Sequence, residues 1–493
     1  MKKIVDKYRK WNPSIYSTIL LLIIPFLAFV LTGFKLDNDF WFLINTGKTI
    51  INEGFIQIET FTIHSGLSFI PQQWLTDIIF YFIYSKFDIR GMFYFVIMCN
   101  GLIIFLSYKL CNLVCHSRKK TILITIVTNI ILFTSNVITT RPQLFDIIIF
   151  LLELYLLELY ISKNNKKYLY PIPIISILLI NYHASMWLML FVLMIPYFVE
   201  YFIQKRNKKD VYKIKPLFII MVISLLGGLI NPYGLQAITY LFSSFGNSNI
   251  NSLVNEMKPL NIKGFFGIIT FIIIFIMLFS FYKNKGNNKI RYFLLSMGVI
   301  FLALNHLKAI LFLVIMLPLV LGYNFDSKEK ETKLKILLYE KVVYVILIII
   351  SMGLVVTNVR LSDDVKIKEF ADYLDQNANY DIKLFTDYND GSYMEYRGYK
   401  CYIDSRAEVF LKSNNQKEDI FDEYYKLEKN KLDIKEFLDK YNFDYLLVSD
   451  RFSVLLRYLQ DDNNYQEVYS KTVNANDVEQ EFLFENISNK SKK

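Results

Sequence analysis

Three stretches of this chain leave little choice of solvent. YSTILLLIIPFLAFVLTGF (16–34), GFFGIITFIIIFIMLFSFY (264–282) and VVYVILIIISMGLVVTNV (342–359) each run for about 18 residues without a charge. A helix rises about 1.5 Å per residue and the hydrocarbon core of a bilayer is about 30 Å thick, so runs of this length match membrane spans. The apolar residues, 54% of the chain, fall in blocks of this kind. The sequence therefore reads as a polytopic α-helical membrane protein. The first run is longer than a signal-peptide core and has no small-residue cleavage site after it, so it is expected to be retained.

Hydropathy places about eleven spans, at roughly 15–33, 90–114, 121–137, 143–162, 169–182, 184–203, 215–230, 264–283, 290–304, 308–322 and 338–358. Threaded this way, the basic segments MKKIVDKYRK, HSRKK, SKNNKK, QKRNKKDVYKIK, YKNKGNNKIR and DSKEKETKLK all fall on one side. By the positive-inside rule that side, with the N-terminus, is cytoplasmic. The net charge of +10 is thereby explained by orientation, and no nucleic-acid partner is expected. The four cysteines show neither a disulfide framework nor metal-ligand spacing. The Lys-, Asn- and Ile-rich usage suits a low-GC bacterium.

The opposite loops carry the unusual polar residues. The first, about 34–88, contains FWFLINTGKTIINEG and QWLTDIIFYFIYSKF, whose apolar spacing reads as amphipathic helices lying on the outer leaflet. Residues 1–359 form the membrane domain on this reading. From 360 the chain alternates helix-like and strand-like segments: VKIKEFADYLDQ, IKLFT, CYID, DIFDEYYKLEK, IKEFLDKY, DYLLVS, EVYSKTV and EFLFE. Such alternation predicts an extracytoplasmic α/β domain over 360–493.

Candidate chemistry gathers on that outer side. Asp37 and Asp39, in LDND at the head of the first loop, read either as an interfacial cap or as a general base and partner facing a lipid-linked phosphate. The pair would also suit a divalent cation such as Mg or Mn. Arg141, in TTRPQ, offers a planar fork for phosphate oxygens, and Lys308, in NHLK, either meets the same anion or snorkels to headgroups. His64, His183 and His306, with Asn181 and Asn305, are candidate cavity-lining groups, or else bonds that hold the helices together; Glu256 faces the same cavity or is a solvated loop charge. In the tail, Asp404 and Arg406 follow a predicted strand, where α/β domains often place sites; a structural ion pair fits them equally.

Taken in order, DNDFWFLINTG (37–47), ETFTIHSG (59–66), QQWL (72–75), TRPQ (140–143), NYHAS (181–185), NPYG (231–234), NHLK (305–308), DYNDGSYM and YIDSRAE resemble a group of bacterial polytopic proteins related to the C-type (GT-C fold) membrane glycosyltransferases. The resemblance spans nearly the whole chain. It implies a first external loop with an acidic motif on membrane-parallel helices, a sugar donor on a polyprenyl-phosphate carrier, and transfer with inversion. It also implies an Asp that deprotonates the acceptor hydroxyl or ligates a metal, and cations on the donor phosphate. Two loop motifs depart from relatives that often read D-x-D-x-W-W-H and H-E-W-L: the corresponding residues here are Phe42-Leu43 and Gln72-Gln73. The sequence thus predicts a glycosyltransferase acting on a glycan, lipid or protein of the cell envelope. A non-catalytic partner, a translocator or a glycan polymerase are the other readings. Polar residues gathered at the outer ends of the spans, and not at mid-membrane, favour surface chemistry over transport.

Overall fold

The computed structural model describes residue 29, residues 32–326 and residues 360–490, apart from 136, 209–210, 244–249, 251–253, 255–256, 364 and 475–478. The expected eleventh span, nearly all of the first, and Glu256 lie outside the described residues. The chain divides into two compact units. One comprises 1–35, 87–231 and 255–362; the other comprises 36–86, 232–254 and 363–493.

The first unit is helical. Its long elements include Arg118–Thr134, Gln143–Lys163, Trp187–Arg206, Phe265–Lys283 and Ile290–Asn305. Phe265–Lys283 is apolar on every side, and Ile268, Ile272 and Phe275 are more than half exposed, as a lipid-facing helix requires. By length and composition three described helices can cross a membrane, Trp74–Val114, Ala184–Arg206 and Phe266–Lys283. The pair Leu307–Ile315 and Leu317–Asn324, bent by 43°, makes a fourth if it is one span. Shorter apolar helices, Ile172–Tyr182, Ile214–Gly227 and Ile290–Asn305, occupy further positions that hydropathy marks as spans. The chain is a membrane protein.

One buried cluster of charge inside this unit is paired. Arg291, at the start of Ile290–Asn305, is buried and donates to both Glu158 oxygens at 2.8 Å and to Glu200 at 2.5 Å. Tyr197 and Tyr292 also donate to Glu158, at 2.9 and 2.8 Å. One guanidinium thus ties together three helices. Removing one partner of such a pair leaves an uncompensated buried charge.

The second unit contains a five-stranded sheet with helices between its strands, and more. Its sheet runs in the order Lys400–Cys401, Lys383–Phe385, Tyr445–Ser449, Glu479–Asn486, Tyr465–Asn474. The first three strands are parallel and the last two pair antiparallel as a hairpin. Tyr445–Ser449, buried at all five positions, is the central strand. Helices Lys368–Asn377, Ile420–Glu428 and Ile434–Tyr441 alternate with the strands, and the side chains of Asp419 and Asp433 cap the latter two by accepting backbone N–H groups.

Residues 36–86 belong to this same unit. Helix Phe40–Glu53 lays Trp41 against Tyr393 and Tyr396, with ring centroids 4.9 Å apart in both pairs. Residues 57–69 form a hairpin closed by Glu59 N–H to Leu67 O (2.8 Å) and Phe69 N–H to Gln57 O (3.0 Å). Its tip extends the sheet: Thr62 bridges Cys401 in parallel, and the Ile63 N–H donates to the Cys401 carbonyl at 2.9 Å. The second apolar stretch of the loop is a helix from Trp74 that ends at Asp88, whose φ of 51° lies in the left-handed region; a second helix follows to Val114, and the units divide just before that point.

Candidate functional site

In the first unit the motifs TRPQ, NYHAS and NHLK meet. Arg141 and Gln143, at the start of helix Gln143–Lys163, line a cavity of about 140 Å³ with Lys308 from the turn between two helices. Its remaining wall is largely apolar, with Val137, Phe266, Leu307 and Leu311. The lining has two cations, Arg141 and Lys308, no carboxylate, and an apolar flank, the charge balance that an anion requires. The Gln143 Oε1 is buried with no hydrogen-bond partner among the described residues.

Asp146, one turn beyond Gln143, is fully buried and within electrostatic reach of Lys308. Its Oδ2 lies 2.7 Å from His183 Nδ1. A carboxylate on one ring nitrogen orients the imidazole and fixes which nitrogen points elsewhere. Asp146 was not among the sequence candidates. The available signal was a carboxylate inside an apolar helix, repeated at Glu153 and Glu158, which marks interior function or pairing by default.

The other polar candidates of this unit bind backbone. Asn181 donates to the Ile177 and Ile230 carbonyls at 2.7 and 2.9 Å, fastening two helices. Asn305 donates to Phe301 O at 2.7 Å within its own helix. His306 Nδ1 is 3.2 Å from the Met257 carbonyl, beside the backbone bond from Leu307 N–H to Lys258 O.

In the second unit LDND, ETFTIHSG, DYNDGSYM and YIDSRAE converge. Asp37 and Asp39 are both partly exposed, in the turn that starts helix Phe40–Glu53. The Asp39 N–H donates to Asp37 Oδ1 at 3.0 Å, which orients the first carboxylate. Asp39 is near enough to Tyr388 that, after burial, its charge is the next cause holding that phenol well above its usual range. Tyr388 is therefore a neutral donor, and its hydroxyl bonds Ser405 O at 2.6 Å. Glycine holds the motifs together. A Cβ on Gly47 would lie 2.2 Å from the Asp77 carbonyl, and one on Gly391 would lie 2.0 Å from the Ile403 carbonyl.

Arg406 and Asp404 are placed together and fully buried. The Arg406 Nε is 3.0 Å from both Asp404 oxygens; its Nη2 bonds Asp404 and Glu59, the latter at 3.1 Å, and lies 3.6 Å from Glu395. The guanidinium also sits over the rings of Phe61 and Phe69. One cation faces three carboxylates here. Burial, with the charges of Asp404 and Glu59, pushes Glu395 well up, so that carboxyl holds its proton. Glu59 and Glu395 were missed in the sequence, where nothing local marks a partner 347 positions from Arg406.

His64 also joins this packing. Its Nε2 is 2.8 Å from the Tyr402 carbonyl and its ring lies among Tyr402, Phe410 and Tyr441. Burial lowers its pKa to about 4, so the neutral ring donates to Tyr402. Among the described residues, no three His, Cys, Asp or Glu side chains are grouped to hold a metal ion. Asp37 and Asp39 supply two carboxylates, a number that Mg commonly takes from a protein beside substrate phosphates and waters.

No family model matches the sequence, and no curated protein matches it as a relative. Solved structures do match in fold. An Archaeoglobus fulgidus oligosaccharyltransferase tethered to an acceptor peptide containing the NVT sequon superposes with a TM-score of 0.56 at 10% identity, over 88% of this chain and 69% of that one. The archaeal oligosaccharyltransferase AglB from Archaeoglobus fulgidus, in complex with an inhibitory peptide and a dolichol-phosphate, superposes with a TM-score of 0.56 at 9% identity, over 92% and 73%.

Proposed function

We propose that this chain, related in fold to the GT-C glycosyltransferases, transfers a sugar from a polyprenyl-phosphate carrier to a glycan, lipid or protein acceptor of the cell envelope. The observation that carries the reading is the cavity in which Arg141 and Lys308 meet beside an apolar wall. A lipid phosphate presents that combination of anion and hydrocarbon. Arg141 holds the phosphate oxygens with its fork, Lys308 adds charge, and His183, oriented by Asp146, serves the same group.

Asp37 is the general base. The acceptor oxygen attacks the anomeric carbon and its proton passes to the Asp37 carboxylate. The bond from that carbon to the phosphate oxygen breaks, its electron pair leaves with the polyprenyl phosphate, and configuration inverts. Asp39 orients Asp37 through its backbone N–H. The α/β domain faces the outside in this reading, and the membrane domain is multi-pass with its N-terminus in the cytoplasm.

The test is a surface-glycan profile from cells expressing the wild type, Asp37→Asn, Asp39→Asn or Arg141→Ala at equal levels. The wild type changes the profile and the three variants lose the change; a profile unaltered by all three refutes the reading. Orientation is checked by cysteine labelling from outside, which fails at 163–167 and succeeds near 415.

A further inference from the structure

A second cavity, of about 260 Å³, lies in the other unit and has the opposite chemistry. It is lined by Gln57, Ser68, Gln236, Thr239, Tyr240 and Asn414, drawn from three separate segments. The lining contains no ionisable acid or base other than the Tyr240 phenol. It is far larger than one water, whose share of the liquid is about 30 Å³. It is also just under the range of about 300–1,000 Å³ that drug-sized ligands need. A single ring-sized unit fits that space.

The polar groups are arranged to receive hydroxyls. The Asn414 amide nitrogen bonds Ser68 O at 3.2 Å, the Tyr240 hydroxyl at 3.0 Å and Glu408 O at 3.1 Å. Those bonds fix the amide and leave its Oδ1 as an acceptor with no partner among the described residues. Gln57 and Gln236 are exposed, and their side-chain amides likewise have no partner among the described residues. A carboxamide offers a donor pair and an acceptor side by side. A sugar hydroxyl both donates and accepts, so neighbouring hydroxyls on a ring match this pattern. A phosphate or a carboxylate would find no cation in the lining.

We infer that this cavity is a subsite for a neutral saccharide unit, bound through the amides of Gln57, Gln236 and Asn414. The biological source of that unit rests on the glycosyltransferase reading, as either the acceptor glycan or the sugar of the lipid-linked donor. Binding itself does not rest on it.

The experiment uses the full chain in lipid nanodiscs. Saturation-transfer NMR is recorded with neutral hexose and N-acetylhexosamine oligosaccharides, with uronic-acid oligosaccharides, and with an uncharged peptide. The neutral saccharides give a signal, and the double variant Gln57→Ala/Gln236→Ala weakens it by about tenfold or more, the loss of one or two hydrogen bonds. Both side chains are exposed, so the variant keeps the wild-type melting temperature, which is measured alongside. Competition by a polyprenyl-phosphate-linked neutral sugar assigns the site to the donor; its absence assigns the site to the acceptor. Equal binding of uronates or peptide, unchanged binding by the double variant, or no saccharide binding by the wild type overturns the inference. Saccharide binding without any sugar transfer leaves the subsite standing and counts against the glycosyltransferase reading alone.

Discussion

Both units bury an arginine among carboxylates, and they use it differently. Arg291 joins helices that are already neighbours in an apolar bundle. Arg406 joins two parts of the sequence with no local relation, the first loop through Glu59 and the α/β domain through Asp404 and Glu395. The cavities differ in the same way. The one in the helical unit offers cations and hydrocarbon, and the one in the α/β unit offers amides and hydroxyls.

The largest expected effect breaks the structural half of this comparison. Arg406→Ala leaves Glu59 and Asp404 buried without their cation and destabilises the second unit by about 3–5 kcal/mol. Arg291→Ala does the same to the first. Limited proteolysis in detergent separates the two, because each variant opens cleavage sites in its own unit.

Next in size is the anion cavity. Arg141→Ala lowers sugar transfer by about 10²–10³-fold, the range for losing one preorganised charge donor, with an unchanged melting temperature. Arg141→Lys recovers only part of it, since an ammonium lacks the planar fork. If Arg141→Ala instead lowers the melting temperature as Arg406→Ala does, the two arginine types are not distinct.

Gly391→Ala probes how closely DYNDG approaches YID. The added methyl meets the Ile403 carbonyl and costs about 1–3 kcal/mol in thermal unfolding, as overpacking does. Asp146→Asn is smaller. It keeps the shape but weakens a hydrogen bond to His183, and transfer falls by about tenfold with the KM for the lipid donor rising.

The smallest effect is one of pH. His64 has its folded pKa near 4, below its unfolded value of 6.5. Between those values the unfolded chain binds the proton first, so stability falls as pH drops from about 6.5 towards 4. His64→Gln removes this dependence, and unfolding curves at pH 7 and pH 5 then differ less than in the wild type.

Much of this was legible in the sequence. Period and length placed the tail strands at IKLFT, DYLLVS and EFLFE, and the structure has strands at Lys383–Phe385, Tyr445–Ser449 and Glu479–Asn486. The cationic residues Arg141 and Lys308 were singled out separately and line one cavity. The assignment of residues 36–86 to the tail was not legible, because Trp41 on Tyr393 and Thr62 on Cys401 are contacts across more than 300 positions. No local period carries such pairs. Asp146 does not stand out in the sequence, because the hydrophobicity of its helix averages a single carboxylate away.

The most direct measurement is donor turnover by the purified chain in proteoliposomes, given a radiolabelled sugar on polyprenyl phosphate and an envelope extract as acceptor. Label is expected to leave the lipid for the extract with the wild type, and Asp37→Asn and Arg141→Ala each to reduce this by at least about 10²-fold. Transfer that proceeds equally in both variants, or a wild type that leaves every such donor intact, would contradict the glycosyltransferase reading.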